Sequence, residues 1–127
     1  MYTMEQLAGK VRDGRLDLSN IAVSDVSGVC GLTDLTVLIL RNTGVTNVRA
    51  LAGLTSLEWL DLSGTGVTDV GALAGLTRLR VLCLDETHVR DVSALSTLAS
   101  LAVLHLYASK VTDVTALAGL TGLKVLR

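Results

Sequence analysis

A period of 22 residues runs through the chain and limits its fold more than any other feature of the sequence. Leu32, Leu54, Leu76, Leu98 and Leu120 each open the phrase Leu-Thr or Leu-Ala. Four consecutive blocks (32–53, 54–75, 76–97 and 98–119) carry seven apolar columns, and all 28 positions are Leu or Val. The block from Leu54 fills them with Leu54, Leu57, Leu60, Leu62, Val67, Val70 and Leu73. Residues 1–31 hold half a repeat and a degenerate one, which keeps Leu16, Leu18, Val23, Val26 and Val29 but puts Lys10 and Asp13 in leucine columns. Residues 120–127 begin a further repeat. One such unit cannot bury its own apolar face, so the units must stack into a single solenoid domain.

Each block has two halves with different periodicity. Leu38-Ile39-Leu40, Leu60-Asp61-Leu62, Leu82-Cys83-Leu84 and Leu104-His105-Leu106 alternate with period two, which predicts short strands with both leucines inward. Equivalent strands in successive repeats must then lie parallel, about 4.8 Å apart. In the second half, Asp or Asn recurs at 25, 47, 69, 91 and 113, with Thr3 in the same column. These are helix N-cap residues, whose side-chain oxygens satisfy free N–H groups. Gly31, Gly53, Gly75 and Gly119 close the segment, where a C′ residue of positive φ is expected. The return segment is therefore predicted as a single helical or 3₁₀ turn.

The phrase Leu-x-x-Leu-x-Leu-x-x-Thr, followed by Val-Thr-Asp-Val-x-x-Leu, resembles the leucine-rich repeat in its 22-residue internalin-like and SDS22-like form. The resemblance implies an α/β leucine-rich-repeat solenoid, a right-handed curved stack with parallel strands on its concave face and short helical or 3₁₀ turns on its convex face. It also implies an Asn in the turn after the strand. Here that position holds Thr43, Thr65, Thr87 and Ser109, and Ile21 in the first block. A hydroxyl does part of the amide's work with fewer bonds. An SDS22-like role would be to regulate or scaffold an intracellular enzyme; an internalin-like role would be to bind a host surface receptor.

Between and beside the strand leucines lie columns whose residue type varies from coil to coil, and the alternation predicts that they face solvent. One holds Val37, Trp59, Val81 and Val103; the next holds Ile39, Asp61, Cys83 and His105; the third includes Asp85 and Tyr107. Trp59 and Tyr107 are two of only three aromatics in the chain, and both residue types are favoured at interface hot spots. The valine column with Ile39 and Trp59 makes an exposed apolar stripe, and such stripes mark contact sites. The predicted function is recognition of another protein or peptide through this face. The plainer readings are that valine merely favours strand, and that the chain is a structural array with no ligand of its own.

Asp61, Cys83 and His105 on successive strands also supply the ingredients of a nucleophilic thiol. The carboxylate, however, lies beside Cys83 and away from His105, and an open sheet offers no oxyanion hole. A zinc site on the same residues lacks the tight ligand spacing that zinc sites use. No enzyme activity, metal or cofactor is expected. Cys30 shares a column with Ala8, Ala52, Ala74, Ser96 and Ala118, which predicts a small buried residue on the return side, out of reach of Cys83. His88 reads as an exposed turn residue. The Asp ladder supplies one carboxylate per coil at that column, too few for calcium.

The net charge of −1 argues against bulk nucleic-acid binding, and no apolar run is long enough to cross a membrane. The first 14 residues do not read as a secretory signal, and two cysteines make no disulfide framework; both points favour the cytoplasm, with an extracellular or surface place as the alternative if the chain belongs to a longer precursor. Thr3 to Gln6 fits a capping box that would close the first coil. No such cap follows Leu120, so the far end is expected to continue into more chain, or to be covered by another molecule or a second copy.

Overall fold

The computed structural model describes residues 4–127, and their side chains from residue 6 onward. The expected capping box, and Thr3 as a member of the Asp/Asn column, lie outside the described residues. A short helix α1 (Met4–Ala8) precedes six strands: β1 (Arg15–Asp17), β2 (Val37–Ile39), β3 (Trp59–Asp61), β4 (Val81–Cys83), β5 (Val103–His105) and β6 (Val125–Leu126). They form one parallel sheet in chain order, each strand shifted by one repeat against the next. Leu38, Leu60, Leu82 and Leu104 are therefore register partners down the stack. Among the described residues no helix is long and apolar enough to cross a membrane.

The leucine columns fill the interior. Leu38, Leu60, Leu82 and Leu104 have no exposed surface, nor do the second strand leucines Leu40, Leu62 and Leu84. Lys10 and Asp13, which stand in the columns of Leu54 and Leu57, are exposed in the first coil. The return segments are 3₁₀ turns at Ser27–Val29, Arg49–Leu51, Gly71–Gly75, Ser93–Thr97 and Thr115–Leu117. Before each turn an Asp or Asn carboxyl or amide oxygen accepts the N–H two residues on. Ser27, Arg49, Gly71, Ser93 and Thr115 donate to Asp25, Asn47, Asp69, Asp91 and Asp113 at 2.8–2.9 Å. The capping role expected of this column is present, one residue earlier than a helix N-cap; Val26, Val48, Val70, Val92 and Val114 occupy the N-cap position itself.

Three expectations need correction. Gly31, Gly53, Gly75 and Gly119 are not in the left-handed region. That conformation belongs to another column, Asn20, Asn42, Gly64, Glu86 and Ala108, with φ between 55° and 70°. These residues follow the strand and extend its ladder by one bond: Asn20, Asn42, Gly64 and Glu86 donate N–H to Arg41, Ser63, Asp85 and Tyr107 carbonyls of the next coil at 2.7–2.9 Å. The chain must then turn sharply, and a left-handed residue makes that turn. Second, Cys30 is exposed, as are Ala8, Ala52, Ser96 and Ala118, because this column lies on the outer side of the 3₁₀ turn. Third, the columns beside the strand leucines do not all face solvent, as described below.

The hydroxyls that replace the expected Asn close the same turn. Buried Thr43, Thr65 and Thr87 donate to the carbonyls of Leu40, Leu62 and Leu84 at 2.6–2.8 Å. Ser109 instead accepts from the Val111 N–H at 3.3 Å.

Candidate functional site

Because the strand leucines point inward, their neighbours form the wall of the concave face. Val37, Trp59, Val81 and Val103 are register partners on β2 to β5 and make one stripe across the strands. Trp59 is 45% exposed and Tyr107 70% exposed, high values for aromatic side chains. The stripe lines a groove of about 380 Å³ together with Thr36, Glu58, Arg80 and Ala102. Those four residues were not among the sequence-predicted set. They too recur every 22 residues, one place before the valine column, and that spacing was the signal for them. A roomier hollow, about 450 Å³, lies on the return side between two capped turns and is lined by Thr46, Asn47, Arg49, Thr68 and Asp69 among others. It lacks an apolar anchor, so the smaller groove is the better candidate.

The second column does not face solvent evenly. Ile39 and His105 are half-buried, but Asp61 is only 6% exposed and Cys83 9%. Short side chains on a concave sheet sit below longer neighbours. Asp61 lies between Ile39 and Cys83 in register, beneath Arg41, whose guanidinium comes within 3.6 Å of the carboxylate. Ser63, next to it, is also buried, and its N–H donates to Asp61 Oδ1 at 2.9 Å. Asp85 is half-buried and accepts the Tyr107 N–H at 2.8 Å. The sequence-predicted residues thus divide: Val37, Trp59, Val81 and Val103 share the groove, Ile39, Asp61, Cys83 and His105 form the adjoining wall, and Asp85 and Tyr107 stand at its far margin.

Cys83 Sγ lies 3.7 Å from His105 Nδ1, as register demands. Burial pushes the thiol up to about 11, and the Asp61 and Asp85 charges push the same way, with only Arg41 opposing. A nucleophilic thiol needs the opposite shift. Asp61 is held by Ser63 and Arg41 rather than aimed at the imidazole. Among the described residues no three His, Cys, Asp or Glu side chains converge as metal ligands do.

Comparison with known proteins agrees with the fold. A family model described as leucine-rich repeats in two copies matches residues 55–100. Internalin C2 of Listeria monocytogenes superposes with a TM-score of 0.88 at 36% sequence identity, over 89% of this chain and 50% of its own. The internalin inlF of the same organism superposes with a TM-score of 0.87 at 32% identity, over 98% of this chain and 36% of its own. The chain therefore spans half the length of the first and about a third of the second. A search of curated proteins found no match. Fold and repeat define a leucine-rich-repeat protein. Its repeats are of the internalin-like kind.

Proposed function

We propose that this chain is a protein-recognition module that binds its partner through the concave strand face and catalyses no reaction. The observation that carries the reading is Trp59, a large side chain left 45% exposed at the centre of an apolar groove, beside the strand leucines Leu38, Leu60, Leu82 and Leu104, which have no exposed surface. Burial of an aromatic anchor within an apolar pocket is the usual centre of a binding interface. His105, Tyr107 and Asp85 give the margin its polar and aromatic contacts. The raised Cys83 thiol and the engaged Asp61 speak against thiol chemistry.

The test is affinity capture with three baits in parallel: the intact chain, Trp59→Ala, and Arg49→Ala on the convex side. Partners of the concave face are held by the intact chain and by Arg49→Ala, and are lost by at least about tenfold with Trp59→Ala, as a hot-spot truncation costs. Partners held equally by all three baits would count against the reading.

A further inference from the structure

The groove has a direction. Its lining residues come in pairs from four successive coils, Thr36–Val37, Glu58–Trp59, Arg80–Val81 and Ala102–Val103, so it is two residues wide and runs across the strands. Its apolar positions recur once per coil, about every 4.8 Å. An extended segment repeats its side chains on one face about every 6.6 Å and loses step within two coils. An α-helix turns every ~5.4 Å and is displaced by only about 2 Å after three coils.

The two flanks of the groove differ in charge. Where the strands begin, Arg78 and Arg80 are exposed and line a second recess of about 410 Å³ with Glu58 and Ser100. Neither arginine takes part in the ion pair found among the described residues, which joins Arg41 to Asp61. Where the strands end, Asp85 and the exposed Glu86 likewise stand outside the ion pair found among the described residues. From Arg80 to Asp85 is five residues, about 16 Å of extended chain. A helix with its side chains is about 10–12 Å across and spans that width once its charged side chains reach outward.

We infer that the occupant of the concave face is an amphipathic α-helix of a partner protein, laid across the strands, with its apolar ridge in the Val37–Trp59–Val81–Val103 groove, carboxylates toward Arg78 and Arg80, and basic groups toward Asp85 and Glu86. This rests on the reading of the concave face as the partner surface. The placing of opposite charges on the two flanks also sets the direction in which the helix runs along the stack.

The probes are synthetic 18-residue helices sharing one leucine ridge, with Glu on one flank and Lys on the other, Lys on both, or Glu on both. A fourth peptide of the mixed composition alternates apolar and polar residues to favour extended structure. Each is titrated against the intact chain by the fluorescence of Trp59, the single tryptophan. The mixed-flank helix binds about three- to tenfold more tightly than either uniform helix, the scale of two or three rim charge pairs, and the difference shrinks in high salt. The double variant R78E/R80E reverses the order, so that the helix with Lys on both flanks binds best. Equal affinity of the three helices, tighter binding of the extended peptide, or binding by none of the helices would overturn the inference. Loss of captured partners with Trp59→Ala would still stand in each of those cases, leaving the concave face as the binding surface and removing only the helix.

Discussion

Cys83 and Cys30 carry the same thiol into opposite surroundings. Cys30 sits on the outer side of a 3₁₀ turn and is exposed, whereas Cys83 is sunk in the concave wall between Asp61 and His105. The thiolate is the reactive form, and burial with two nearby carboxylates holds Cys83 protonated until the pH approaches about 11. An alkylating reagent at pH 8, followed by mass spectrometry of the peptides, should modify Cys30 first and Cys83 at least about tenfold more slowly. Comparable rates at the two sites would show Cys83 to be activated and revive the thiol-imidazole reading. The sign for stability follows from the same shift. The fold favours the neutral thiol, so its contribution holds below the ordinary value of 9.0 and fades as the pH rises toward about 11. The alternation of residues revealed which wall Cys83 and Asp61 belong to. Their depth was not legible, because it depends on neighbours such as Arg41 beside Asp61 and His105 beside Cys83, and periodicity carries no information about the reach of neighbouring side chains.

Within the coil, the recurring element is a three-residue strand, a left-handed turn and a capped 3₁₀ turn. The capping column was readable because Asp and Asn have a specific local use: an oxygen within reach of a free N–H. Those N–H bonds, foremost the backbone ones, hold Asp25, Asp91 and Asp113 below the ordinary carboxylate range. Their contribution is thus full at neutral pH and is lost as the pH falls through that lowered range. Asn47 does the same work without titrating, accepting from Arg49 at 2.9 Å. Asn47→Ala should cost about 0.5–2 kcal/mol in chemical denaturation, and Asn47→Asp should cost little at pH 7. If alanine were as stable as asparagine, the column would be only a solvent-facing preference. The left-handed column was hidden, since Glu86 and Ala108 show none of the glycine or asparagine preference that Asn20, Asn42 and Gly64 do. The stacked ladder imposes that conformation on them, and a Cβ at Gly64 would in addition meet the side-chain oxygen of Asn42.

Across the whole molecule, the parallel stack converts one local choice into every surface the protein has. Six strands share one register, so a slip of a single residue would bring Trp59, Val81 and Val103 into the core and turn Leu60, Leu82 and Leu104 outward. This was the most legible property of the chain, because 28 Leu and Val positions vote for the same answer. It also makes adjacent residues behave as opposites. Leu60 is fully buried between Leu38 and Leu82, and Leu60→Ala should lose about 2–5 kcal/mol as a cavity opens where neighbouring coils close over it. Trp59 rests on the surface of the same strand, and Trp59→Ala should cost no more than about 1 kcal/mol while weakening partner capture. Urea denaturation of the two variants beside the intact chain, each followed by far-ultraviolet circular dichroism, separates them. Large destabilisation by Trp59→Ala with little from Leu60→Ala would invert the faces of the sheet, and with them the assignment of the concave groove as a binding surface.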